Sequence, residues 1–169
     1  MEAIATERLT LRNFSPEDWR DLQEMIVRYQ ATEYAQYDER WPTDDEAIQG
    51  IATWFASGDS YLAVTLRATG KVIGLVALDA RTDEYAPARN FGYVFNPEYH
   101  GQGYATEACR AAIAHVFEGM GESRFVTGTH VANLPSRRLL ARLGFCAIGE
   151  GLYALERDEW LARERTQDA

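Results

Sequence analysis

Two glycines, Gly101 and Gly103, sit between a strongly β-forming stretch and a long helical pattern. The stretch is Phe91-Gly92-Tyr93-Val94-Phe95. The run that follows is Asn96-Pro97-Glu98-Tyr99-His100-Gly101-Gln102-Gly103-Tyr104-Ala105-Thr106-Glu107-Ala108. Glycine turns the backbone tightly and lets main-chain N–H groups come close to a ligand. The small residues Ala105, Thr106 and Ala108 open a helix whose first N–H groups have no partner inside the helix. Strand, glycine turn and helix N-terminus in that order bind a phosphate or pyrophosphate through main-chain donors and the helix dipole, with no lysine or metal.

Three kinds of glycine loop compete for this run. A P-loop ends in Gly-Lys-Ser/Thr, so that the lysine reaches the terminal phosphates, and nothing of that kind follows Gly103. A dinucleotide loop needs G-x-G-x-x-G and an acid at the end of the next strand. Here Thr106 replaces the third glycine, and Glu122 precedes the next strand instead of ending it. The third kind fits. His100-Gly101-Gln102-Gly103-Tyr104-Ala105 resembles motif A of the GNAT superfamily of acetyl-CoA-dependent N-acetyltransferases, Gln/Arg-x-x-Gly-x-Gly/Ala. Gly103 and Ala105 match its last two positions. His100 stands in place of Gln or Arg, a departure that leaves the main-chain donors intact.

Further along, Asn133-Leu134-Pro135-Ser136 and a short helix ending in Leu143-Gly144-Phe145 are similar to the second half of the same signature. Thr6-Glu7-Arg8-Leu9-Thr10-Leu11-Arg12 is similar to the first strand of the subgroup that includes the ribosomal-protein-alanine N-acetyltransferases. The likeness runs from Glu7 to Trp160. It implies a mixed α/β fold, a twisted mixed sheet of about seven strands flanked by about four helices. Acetyl-CoA, as co-substrate, would lie in a cleft between two splayed, parallel central strands. The implied reaction is transfer of the acetyl group to a primary amine by direct attack.

Such a transfer must hold the pyrophosphate, polarise the thioester carbonyl, deprotonate the amine and protonate the departing thiolate. By resemblance, His100, Gly101, Gln102, Gly103, Ala105 and Thr106 form the CoA loop. The preceding strand would splay at a bulge, for which Gly92 and Asn96 are suited, and free N–H groups near Val94 for the thioester and pantetheine. Asn133 would contact CoA and Ser136 would give the thiolate its proton, although both residue types are also ordinary helix caps. Tyr99 and Tyr104 are rival proton donors, each explained more simply as a packing aromatic. Tyr34, Tyr37, Asp38, Glu39 and Trp41 lie in a connector that, in this superfamily, resembles a flap over the acceptor. Aromatic faces and carboxylates together suit a cationic amine.

No residue stands out as the general base. His130 is of a residue type often used as a base but sits alone on a strand, His100 belongs to the phosphate loop, and Asp79 and Glu84 are loop acids without context. A base-poor site suits an α-amino group, with pKa about 7.7–8.0, better than a lysine-type amine near 10.4. A peptide N-terminus is therefore the expected acceptor. A small-molecule amine, such as a polyamine or an antibiotic, is the alternative, and a non-catalytic acyl-CoA-binding module is the rival from another class.

The elements that must position these residues follow from spacing. Residues 9–14 read as a strand, and Ser15-Pro16 opens a helix that buries Leu22, Met25, Ile26 and Tyr29. A capping box at Thr43-Asp44-Asp45-Glu46 starts a second helix, burying Ile48, Ile51, Ala52 and Phe55. A hairpin spans 61–67 and 71–78 around Gly70. Strand 89–96 carries Phe91, Tyr93 and Phe95 on one face and feeds a helix over 103–120. Strand 124–131 must then run parallel to it, because a helix connects the two. A helix over 133–143 stops at Gly144. Strands 146–148 and 152–156 are joined by only Gly149-Glu150-Gly151, where related chains carry a longer substrate-lining hairpin. One wall of the acceptor site is therefore expected to be missing or supplied by another subunit.

With 169 residues, 46% hydrophobic and 25% charged, the chain suits a single domain over 1–169, with 157–169 as a polar, partly helical tail. No apolar run approaches the ~20 residues needed to cross a membrane, and the start is unlike a signal peptide. Cys109 and Cys146 lack metal-ligand spacing and read as buried thiols in a reducing compartment, by default the cytoplasm. H-E-x-x-H is absent as well, so no metal is expected. A net charge of −9 argues against nucleic acid as a partner. Acids outnumber bases two to one in the first half of the chain and nearly balance them in the second. That places anionic CoA against the second half and the acceptor against the first. Monomer and homodimer are both compatible with the sequence.

Overall fold

Every residue of the strand Val72–Ala77 is buried, and its side chains divide between two cores. Ile73 and Val76 join one, while Val72, Leu75 and Ala77 join the other. A strand covered on both faces reads as an unbroken apolar run, and this one is the centre of the architecture. The computed structural model describes residues 1–167. Within them, β1 (Ile4–Ala5), β2 (Leu9–Asn13), β3 (Tyr61–Leu66), β4 (Val72–Ala77) and β5 (Gly92–Phe95) form an antiparallel sheet in that order. A second sheet has the order β6-β8-β7, from β6 (Arg124–Gly128), β7 (Cys146–Gly149) and β8 (Leu152–Glu156).

Helices α1 (Trp19–Gln30) and α2 (Asp45–Ala56) cover one face of the first sheet, burying Leu22, Met25, Ile26, Ile48 and Phe55. On the opposite face lie α3 (Tyr104–Ala114), which ends in a π turn over His115–Gly119, and α4 (Leu134–Leu143). They pack Cys109, Ile113, Phe117, Leu140 and Leu143 against Phe91, Phe95 and Phe125. None of the described helices is long and apolar enough to cross a membrane.

The expected mixed α/β architecture is present, with differences in its parts. Among the described residues there are eight strands in two sheets and five α-helices. The sheet divides because β5 and β6 lose contact almost at once. A parallel bridge joins Arg89 to Phe125, with Arg89 N–H to Arg124 O and Val126 N–H to Arg89 O both at 2.9 Å. One step on, the Thr127 hydroxyl donates to Phe91 O at 2.6 Å. A side chain thus takes the place of a ladder bond, and the strands part.

The fifth helix, α5 (Arg157–Gln167), occupies most of the stretch expected to be a polar tail; residues 168–169 of that tail lie outside the described residues. Trp160 anchors α5, buried against Phe117 with ring centroids 5.9 Å apart. The expected cap of α2 shifts by one residue, since it is the Asp44 carboxylate that accepts from Ala47 N–H, at 3.0 Å. Cys109 is buried as expected, but Cys146 is exposed, because β7 is the outer strand of its sheet and is exposed along its length.

Candidate active site

The glycine run is held from three sides. Asn96 is fully buried; its side-chain oxygen accepts from Glu98 N–H and its amide donates to Glu24, both at 3.1 Å. His100 folds back so that Nε2 lies 3.0 Å from Phe95 O, which requires a proton on that nitrogen. Gly101 and Gly103 take φ of +74° and +81°, in the left-handed region. Gly103 is the N-cap of α3 and offers no side chain to its first turn. The N–H groups of Tyr104, Ala105 and Thr106 therefore lack intrahelical acceptors and face outward with the positive end of the dipole.

From the β1–β2 turn, Arg8 braces this loop. Its guanidinium donates to Gln102 O at 2.8 Å and to Glu107 Oε2 at 2.7 Å, and it lies 4.3 Å from the Tyr104 ring centroid. Burial would raise the Glu107 carboxyl, but hydrogen bonds from the Thr6 hydroxyl and from Arg8 outweigh it. They hold the group below the usual carboxylate range. On α4, Arg142 donates to the Thr106 hydroxyl at 3.1 Å. Two cations thus flank the start of α3.

A cavity of about 570 Å³ opens where β5 and β6 part. His100, Gly101, Gly103, Ala105 and Thr106 line it together with Val94, Asn133 and Ser136. Gln102 does not, since it turns its carbonyl to Arg8. Asn133 is buried and accepts from Ser136 N–H at 3.3 Å, so the cap of α4 also forms part of the wall.

The β5 backbone corrects the expectation of a bulge near Val94. The β4–β5 register runs without a shift from Gly92 to Phe95, and Asn96 N–H donates to Ile73 O at 2.8 Å. In an antiparallel ladder the bonded pairs alternate, so Val94 N–H is directed to Leu75 on β4. The N–H groups that face the gap are those of Tyr93 and Phe95.

Tyr93 carries the second unexpected feature. Its hydroxyl lies 2.8 Å from Ser136 Oγ and 3.2 Å from Ser136 O, on the cavity wall. Burial pushes the phenol up, the Ser136 hydrogen bond offsets part of that, and Cys109 and Asp38 add to the rise. Tyr93 therefore holds its proton at neutral pH. The rival donors Tyr99 and Tyr104 also line the cavity; their rings meet edge to face at 6.5 Å and pack partly against the core.

The connector is divided. Tyr34 and Asp38 line the cavity, and Tyr29, from α1, donates to the Asp38 carboxylate. Tyr37 stacks on His130 at 4.5 Å, beside an adjoining cleft. Trp41 packs edge-on against Phe55 at 5.9 Å, and Glu39 is exposed; neither lines the cavity. Sequence reasoning missed Arg8, Tyr29, Tyr93 and Arg142. Tyr93 had one visible sign, since it is the hydroxyl-bearing ring in an otherwise phenylalanine row.

The acetyltransferase (GNAT) domain family matches residues 8–146. The chain belongs to this family. As a GNAT enzyme it is an N-acetyltransferase, and the family uses acetyl-CoA. Among relatives, the uncharacterized N-acetyltransferase YnaD of Bacillus subtilis is 26% identical, over 93% of this chain and 98% of its own. A GNAT acetyltransferase from Bacillus anthracis superimposes with a TM-score of 0.81 at 23% identity, covering 93% and 99% of the two chains. The ribosomal-protein-S5-alanine acetyltransferase of Vibrio fischeri gives 0.78 at 19%, covering 95% and 99%. At those identities, the two structures speak for the GNAT fold.

Proposed function

We propose that the cavity binds acetyl-CoA along the glycine loop and presents the thioester to a free α-amine, that of a peptide N-terminus, which attacks it directly. The observation that carries this reading is the Tyr93–Ser136 hydroxyl pair, on the wall of the cavity that also holds the loop. Pyrophosphate on the first turn of α3 aims the pantetheine toward β5. There the N–H groups of Tyr93 and Phe95 are available to the thioester oxygen. When the C–S bond breaks, the hydroxyl pair returns a proton to the sulfur. A cytoplasmic setting fits two free thiols, one of them exposed.

Support for an α-amine comes from its pKa of about 7.7–8.0, which leaves part of it neutral without a strong base. The S5-alanine acetyltransferase that shares the fold is named for an acceptor of that class. One observation favours a second reading: Asp38 and Glu150 line the adjoining cleft, a setting that would also draw a polyamine. Acetyl-CoA turnover with a panel of free-N-terminus peptides, polyamines and aminoglycosides tests the choice. Peptides are expected to have the highest kcat/KM. A clear preference for polyamines would replace the α-amine reading with the second one.

A further inference from the structure

Beside the CoA cavity lies a second, more open cleft of about 550 Å³. Tyr37, His130, Glu150 and Gly151 line it, and it shares Asp38, Gly128 and Thr129 with the first cavity. Those shared residues mark where a molecule in one space meets a molecule in the other. No lysine or arginine lines this cleft. At the junction the Tyr29 hydroxyl donates to one oxygen of Asp38, leaving the other oxygen for a ligand. Burial and this bond to Asp38 push the Tyr29 phenol up, so that it stays a donor. Other titratable groups around Asp38 are Tyr34 and Tyr37 on its own connector, Tyr93 on β5 and, in the lining of the cleft, His130 and Glu150.

We propose that the acceptor enters through this second cleft, and that Asp38, oriented by Tyr29, takes the proton from its amine. The inference rests on the acetyl-transfer reading above. The neutral amine places its lone pair on the thioester carbon, and the new N–C bond makes its nitrogen acidic. One N–H proton passes to the Asp38 carboxylate as the C–S bond breaks, and the sulfur leaves with the bonding electron pair. The Ser136–Tyr93 hydroxyls protonate that thiolate, and Asp38 returns its proton to the hydroxyl pair through water. The products are the acetamide and the CoA thiol.

This chemistry selects the substrate. A carboxylate is a weak base toward a free ammonium, so it serves an amine that arrives already neutral. An α-amine with pKa about 7.7–8.0 supplies that form at working pH far more readily than a lysine side chain near 10.4. Asp38 is therefore a catalytic residue matched to α-amines, and Tyr29 is a positioning residue for it.

The test uses Asp38→Ala with acetyl-CoA and the best peptide of the panel. Turnover should fall about 10²-fold, the lower end for a general base, with wild-type CoA affinity by calorimetry. Added formate should restore turnover in a concentration-dependent way, because it can fill the space of the lost carboxylate. Tyr29→Phe should lower kcat with the KM for acetyl-CoA unchanged, and should have no further effect in Asp38→Ala. Wild-type kcat in Asp38→Ala, or a loss that formate does not rescue, would overturn the role of Asp38. Additive losses in the double variant would overturn that of Tyr29. A wild-type enzyme that acetylates no amine would instead overturn the reading on which the inference rests.

Discussion

At the scale of single residues, the Tyr93–Ser136 pair bears most of the proposed chemistry. Ser136 alone, at a helix start, reads equally as a cap or a proton donor, and the structure gives the cap to Asn133. The hydroxyl is thereby left to Tyr93, at 2.8 Å. Ser136→Ala and Tyr93→Phe should each lower turnover by about 10²-fold or less, with CoA binding little changed. Because the two hydroxyls act as a unit, the double variant should lose hardly more than either single one. Losses that multiply would mean two independent roles, and unaltered turnover would return both residues to packing. Sequence could not reveal the pair, since its members stand 43 positions apart and Tyr93 sits in an apolar row. Asp38 was legible as part of an aromatic, acidic connector. Its partner Tyr29 was not, because helical spacing assigns that ring to the core.

Among the elements, α3 matters most, and its start is tied to the β1–β2 turn by Glu107. Thr6 Oγ1 and Arg8 N–H donate to one carboxylate oxygen at 2.6 and 2.9 Å, and the Arg8 guanidinium donates to the other. A carboxyl depressed by folding contributes stability above its unfolded pKa, about 4.3 for glutamate. It loses that contribution as pH falls through the lower folded value. Glu107→Gln should therefore lower Tm at pH 7, and the difference from wild type should close in acid. A difference that stays constant from pH 7 to pH 3 would show that charge plays no part in the anchor. Strands and helices were largely legible from spacing. The differences came where tertiary contact outweighs local pattern: Trp160 extends the helical part of the polar tail into the full α5, and the expected splay of β5 from β6 is made by the Thr127 side chain and not by a bulge.

For the whole molecule, the split between the sheets creates the site. Two sheets that meet at Arg89 and Phe125 and then part leave a cavity whose walls come from β5, α3 and α4. The glycine loop that aims the ligand into it was readable from sequence, because φ freedom and an uncapped helix start are local properties. The bulge expected near Val94 was not there, because a strand can leave its neighbour when a side chain replaces a backbone partner. Acetyl transfer in this cavity requires CoA to lie along that loop. A CoA titration by calorimetry on wild type and on Gly103→Val, the variant's fold checked by circular dichroism, tests this most directly. A Cβ-branched side chain would have to adopt φ of +81°, beside Arg8 and against the pyrophosphate, at a position where only glycine is unstrained. The expected result is binding by wild type and its loss in a folded Gly103→Val. Wild-type affinity in that folded variant would contradict the placement of CoA.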